Sequence, residues 1–234
     1  GGGKWINADT EHESGCGIRA FTYQDRNYTN ALQWAIGLEL FLLSKDPWRM
    51  VFSTDHPNGG SFMSYPRLIR LLMDREFRKE EMRKINPRAL KQTALADGLD
   101  REYTLQEIAI VTRAGPARLL GLANKGHLGP GADADITIYD EDADKERMFG
   151  APRHVIKDGQ MIIEDHEFKM EHEGRLLHVS PDYDPKIVEV IRPFFDDYYS
   201  IRFNNYAIDD SHLGPHEIIP TLKPRSAASK RSKG

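Results

Sequence analysis

A single cysteine, Cys16, stands among 234 residues. That excludes a disulfide framework and a thiolate metal site, and it points to a reducing compartment, with the cytoplasm as the expected location. Long hydrophobic runs are also missing. The longest, Trp34 to Leu43, is ten residues and contains Gly37 and Glu39, whereas a hydrocarbon core needs roughly 20 apolar residues, so no membrane span is expected. Positive charge is not in excess: 32 Lys and Arg face 36 Asp and Glu, a net charge of −4, which argues against a general nucleic-acid binder. There is no internal repeat and no His-x-His pair. The glycines around Gly129 and Gly131 satisfy neither P-loop nor dinucleotide spacing, and they precede a strand-like run rather than a helix. The opening stretch "GGGKWINADTEHESG" has no initiator Met, no signal-peptide layout and no strand pattern of the kind that begins a domain, so the chain is expected to be a fragment of something longer.

What is present reads as ordinary globular protein, 39% hydrophobic and 29% charged. Tyr28 to Leu43 carries apolar residues on nearly all sides of a helical wheel, with Leu32, Ile36, Leu40 and Leu43 as its clearest stripe, and predicts a buried helix. Asp46-Pro47 stops it, and "RMVFST" follows as a β-prone run. Ser64 is placed to cap a helix through "YPRLIRLLMD", with Pro66 tolerated in the first turn. Helix, strand, loop and helix in that order suit an α/β barrel or a doubly wound sheet. Thr104 to Glu107 is a capping-box match and predicts a helix over 105–113; Pro116 starts and Gly121 stops a second short helix. A β-type run follows through "ADITIYD", and Asp158-Gly159 predicts a tight hairpin. Further on, "PKIVEVIRPFFDDYYSIRFNNYAI" reads as a helix broken by Pro193 and then a strand. Its aromatic set Phe194, Phe195, Tyr198 and Tyr199 suits core or subunit contact better than base stacking. The last fourteen residues, with five basic residues and no acid, read as a disordered tail.

The chemistry concentrates in "FSTDHPNGG". A carboxylate at the carboxyl end of a barrel strand sits where such folds assemble their sites, and Asp55 there is able to ligate a metal and accept a proton from water. The same residues suit an Asx turn, and from spacing alone that is the stronger reading. His56 beside it is a candidate to point into a site. The other histidines carry less: His212 and His216 have Gly214 and Pro215 between them and share no helical face; His166, His172 and His178 match neither helix nor strand period and read as a solvated face; His127 reads as structural in a glycine-rich turn.

"WAIGLEL", "DPWRMVFSTDHPNGGSF", "YPRLIRLLMDREFR" and "REYTLQEIAIVTRAGPARLLGLANKGHLGPGADADITIYD" resemble the carboxyl-terminal part of the A subunit of formylmethanofuran dehydrogenase, a family that includes the alpha subunit of the bacterial formyltransferase/hydrolase complex. The resemblance runs over most of residues 15 to 210. It implies an α/β fold, the carboxyl-terminal portion of a TIM-like amidohydrolase barrel (residues 1–122) with part of a composite β-sandwich (123–180), a helix and strand extension (181–220) and the basic tail (221–234). It implies a binuclear zinc centre, methanofuran as the carrier substrate, hydrolysis or formation of its N-formyl amide, and other subunits of a multi-subunit complex as partners. By position Asp55 matches the family's single aspartate that contacts metal and shuttles a proton, and His56 and Asn58, in the loop at the active-site mouth, become candidate substrate contacts. The family's other metal ligands have no counterpart in this sequence. One Asp cannot hold zinc, which takes three or four protein ligands, so these residues alone are expected to bind no catalytic zinc and to be inactive. Two alternatives remain, a dihydropyrimidinase-like amidohydrolase and a non-catalytic scaffold subunit with a degenerate barrel.

Overall fold

A computed structural model describes residues 24–54, 56, 61–179, 183–206 and 210–219. The described residues form two compact units, one within Ile18–His172 and one from Glu173 onward.

The larger unit begins with α1, Tyr28–Leu43. The side chain of Asn27 accepts the Asn30 N–H at its start. Its end is tied down by side chains: Arg101 Nη1 donates to the carbonyls of Phe41, Leu42 and Ser44, and Tyr103 Oη donates to Phe41 O at 2.6 Å. These are the orphan carbonyls of a helix C-terminus, where a cation is also favoured by the helix dipole. Because Arg101 and Tyr103 hold that end, α1 turns Ala31, Ala35 and Leu42 inward, and the stripe expected to be buried is the outer one: Leu40 is 56% and Leu43 51% exposed, with Ile36 and Trp34 exposed beside them.

Next come α2, Tyr65–Met73, and α3, Arg75–Met82, hinged at Asp74, whose side chain caps α3 through Phe77 N–H at 2.9 Å. Ser64 makes no capping bond to α2. The hydroxyl that caps here is Ser61, three residues earlier, at the head of the 3-10 turn Phe62–Ser64, so that turn rather than a cap leads into the helix. The short α4, Pro87–Leu90, precedes a loop ending in α5, Leu105–Ala109. At α5 the capping box is complete: Thr104 Oγ1 accepts from Glu107 N–H at 3.2 Å and Glu107 Oε2 accepts from Thr104 N–H at 2.9 Å. The helix expected to run to Arg113 changes gear at Ile110, where Ile110–Ala114 form a π-helical turn before α6, Gly115–Leu119. Ala35, Leu42, Ile69, Leu72, Leu95, Tyr103, Ile108 and Val111 make the core of this unit.

A four-stranded antiparallel sheet completes the unit, in the order β1 Ile136–Ile138, β2 His154–Lys157, β3 Gln160–Glu164 and β4 Glu167–Phe168, with α7, Lys145–Gly150, between β1 and β2. Lys157 pairs with Gln160 across Asp158-Gly159, whose φ values of 48° and 79° are those of the two-residue turn the dipeptide predicts. Asp165-His166 repeats that geometry between β3 and β4 without a glycine, with φ of 48° and 66°.

In the smaller unit, β5, Leu177–Val179, pairs in parallel with β6, Glu217–Ile219. Between them, α8, Ile187–Tyr198, runs through Pro193 without breaking, and a helical turn, α9, Phe203–Tyr206, stands where a strand was expected. Phe195 is buried and stacks on Tyr199 at 4.5 Å and edge-on to Phe203 at 5.5 Å, packing that draws residue 203 back against α8 instead of into a ladder.

Candidate active site

The segment leading to Asp55 is anchored from three sides through Phe52. Its N–H donates to Val111 O in the π turn at 3.0 Å, its carbonyl accepts Tyr65 Oη at 3.4 Å, and its ring lies between Phe41 at 5.4 Å and Tyr65 at 5.3 Å. Val51–Thr54 continues from this anchored residue, and its composition is β-prone. No strand is formed there, because among the described residues the neighbour is a helical turn offering one carbonyl rather than a ladder.

Asp55 and Asn58 lie outside the described residues. His56 is described: it is exposed, its ring meets Phe62 edge-on at 4.7 Å, and its Nδ1 accepts Phe62 N–H at 3.4 Å, which ties the start of the loop to its end at the head of α2. Val51–Thr54 also lines a cleft of about 810 Å³, together with α1, α2, the end of α3 at Glu81 and Met82, and Lys84 and Ile85 just after it. Trp34, Leu38, Phe41 and Leu68 make it apolar, and Ser53, Thr54 and Ser64 add hydroxyls to its lining. Glu81, also in the lining, is paired with Arg67 at 2.8 Å and Lys84 at 2.5 Å; burial would raise its carboxyl, and these two cations outweigh that and hold it below the ordinary range.

The described residues do not supply a zinc site here. Among the described residues no histidine or cysteine lines the cleft. One group of three metal-competent side chains is found among the described residues, Asp133, Asp135 and Asp158, and lysines already take the place of a cation in it. Lys125 Nζ lies 2.8 Å from Asp133 and 2.7 Å from Asp135, while Lys157 Nζ lies 2.8 Å from Asp135 and 3.5 Å from Asp158. Burial would raise the Asp135 carboxyl; hydrogen bonds from Lys125, Lys157 and the Asp158 N–H overcome that and hold it far below the ordinary carboxylate range. The cluster ties the loop before β1 to the β2–β3 turn and is structural. Sequence patterns do not disclose it, because its members are up to 33 positions apart, Lys125 to Asp158, and share no local period.

His172, read as part of a solvated face, is largely buried, with Nε2 3.6 Å from Asp158. His166 is exposed, 3.2 Å from Asp140 at the tip of the β3–β4 turn. His127 is structural as expected: its Nε2 is 2.9 Å from Ala123 O and its Nδ1 accepts Gly129 N–H. His216 meets the ring of His178 at 5.3 Å, and no third ligand joins them among the described residues.

Residues 2–163 match the amidohydrolase family. The chain belongs to that family. It is 41% identical over 208 residues to the A subunit of the formyltransferase/hydrolase complex Fhc of Methylorubrum extorquens, covering 89% of this chain and 38% of that protein. It is 37% identical over 228 residues to protein FwdA of Methanocaldococcus jannaschii, covering 92% of this chain and 40% of that protein. Among solved structures, it matches a chain of the formyltransferase/hydrolase complex FhcABCD of Methylorubrum extorquens, determined with methylofuran, with a TM-score of 0.70 and 40% identity over 87% of this chain and 38% of that one. The chain thus spans about two fifths of the length of the relatives it matches, and those relatives are of the family that its motifs resemble.

Proposed function

We propose that this chain is the carboxyl-terminal part of an amidohydrolase that hydrolyses or forms the N-formyl amide of methanofuran, giving formate and free methanofuran, as the A subunit of a multi-subunit complex in the cytoplasm. The observation that carries the reading is the similarity to the A subunit of Fhc over 89% of the chain, which includes the segment ending at Asp55. In this reading residues 1–122 belong to a TIM-like barrel, 123–180 to a composite β-sandwich, 181–220 to an extension and 221–234 to a tail. Asp55 takes the proton of the attacking water and returns it to the leaving amine, while His56 and Asn58 contact substrate from the loop. The described residues do not make a zinc site, so any catalytic zinc draws its other ligands from outside them, and the reading places most of those in the length of the relatives that this chain does not span. Two exposed apolar faces support further polypeptide on both units. One is the outer stripe of α1 with the cleft beside it; the other is Ile187, Val190, Ile191, Phe194 and Tyr198 on α8.

The test is formate release from formylmethanofuran by the full-length protein in its complex. Asp55→Asn keeps the shape and loses the base, and a fall of about 10²-fold to 10⁴-fold is expected for a lost acid–base group. Unchanged turnover would remove Asp55 from the mechanism. Titration of the 234-residue chain with zinc is expected to give neither stoichiometric tight binding nor amidase activity; both together would overturn the reading of the chain as part of a site.

A further inference from the structure

A proline under the candidate site keeps one backbone carbonyl out of its own helix. In the π turn Ile110–Ala114, Gly115 N–H donates to Ile110 O, five residues back. One step on, the carbonyl of Val111 would take the N–H of residue 116, and that residue is Pro116, which has none. The acceptor is filled from outside the helix by Phe52 N–H at 3.0 Å, beside a Val111 side chain that is fully buried. Gly115 permits the arrangement sterically. A Cβ there would lie 2.7 Å from Ile110 O, closer than side chains come, so the π turn needs a residue without one, while Met50 O at 3.7 Å would be at ordinary contact distance. A buried carbonyl without a donor is costly, and the partner of this one from outside the helix is the Phe52 amide, which couples the helix to the axial position of Phe52.

We propose that Pro116 is a positioning residue: by withholding a donor it reserves the Val111 carbonyl for Phe52 and thereby fixes the register of Val51–Thr54, on which the placement of Asp55 and His56 depends. The catalytic consequence rests on the role given to Asp55 above. Pro116→Ala supplies an N–H: in the π register it bonds the Val111 carbonyl, and in a regular helix it bonds Thr112 O while the Gly115 N–H takes the Val111 carbonyl, so either way Phe52 meets a competing donor.

The experiment uses the full-length protein in its assembled complex and reads hydrogen exchange at the Phe52 amide together with steady-state hydrolysis of formylmethanofuran. In Pro116→Ala, exchange at Phe52 is expected to rise at least about tenfold. The kcat is expected to fall about 10-fold to 100-fold with KM held, the range of a small misplacement of a reacting group. The thermal midpoint should stay within a few degrees, and Pro87→Ala, at the start of α4, should change neither exchange at Phe52 nor kcat. Unchanged exchange in Pro116→Ala overturns the proposal, as does faster exchange with unchanged kcat, or a loss carried by KM alone. If Asp55→Asn keeps full turnover, the role of Asp55 fails on its own account, and exchange at Phe52 still decides whether the proline reserves the carbonyl.

Discussion

Replacing Arg78 by Met should cost about 4 kcal/mol of stability, a loss out of scale with an ordinary surface position on a helix. Arg78 sits on α3 yet is only 2% exposed, and its guanidinium donates at 2.8 Å to three carbonyls: Leu71 O near the end of α2, and Leu99 O and Arg101 O in the loop before α5. Three hydrogen bonds at about 1 kcal/mol net each set a floor near 3 kcal/mol, and donors that carry charge contribute about 1.5–3 kcal/mol each. The upper sum is cut back because burying the cation is itself costly, a cost visible in the push of burial on Arg78, below its ordinary value. Met keeps the apolar stem and removes every donor, so the three carbonyls lose their partner while the packing changes little. Equilibrium urea unfolding of the chain, followed through the emission of tryptophans that include Trp34 and Trp48 of the same unit, gives the difference directly. The corresponding drop in thermal midpoint is about 8–16 °C at the usual 2–4 °C per kcal/mol for a protein of this size. Arg78→Lys should recover only part of the loss, since one ammonium cannot reach three divergent carbonyls. A loss below about 1 kcal/mol for Arg78→Met would refute the reasoning, because it would mean that the three carbonyls are satisfied without the guanidinium.

The remaining predictions concern the two polar ties that organise the larger unit. Asp135 is ionised far below its unfolded range, so its contribution is present above the unfolded pKa of about 3.9 and is lost as pH falls from there through the folded value; urea midpoints should therefore drop between about pH 5 and pH 2, and Asp135→Asn should flatten that part of the profile while lowering stability by about 2 kcal/mol at pH 7. An unchanged acid limb in the Asn variant would show that the lysine cluster is not what titrates. Thr104→Ala removes one half of the capping box and should cost about 1 kcal/mol by urea unfolding. Glu107→Ala should cost more, because the same carboxylate also accepts Arg101 Nη2 at 2.6 Å and so braces the group that holds the end of α1; equal losses for the two variants would argue that the Arg101 tie adds nothing.

How far the sequence discloses this molecule depends on the range over which each choice is made. Thr104 to Glu107 and Asp158-Gly159 act within four residues, and both form as their spacing dictates. The span of α1 is equally local, but its orientation is not. With apolar residues on nearly every side, the helix has no amphipathic preference to obey, and the decision passes to Arg101 and Tyr103, some 60 positions away, which take the carbonyls of Phe41 and Leu42. Val51–Thr54 has the composition of a strand, yet a strand is defined by its neighbour, and the backbone partner of the Phe52 amide is the π turn. The chemical role of Asp55 has the same character. Spacing alone favours an Asx turn, and the catalytic reading comes from resemblance to proteins more than twice as long. These dependences share one cause: α1 carries apolar residues on more sides than its own unit buries, and Val51–Thr54 is β-prone but forms no strand among the described residues. Each is a local choice that becomes consistent only against further structure, and consistency across levels is what a foldable sequence is selected for. The energetic preferences of α1 therefore argue for an apolar neighbour on its outer face.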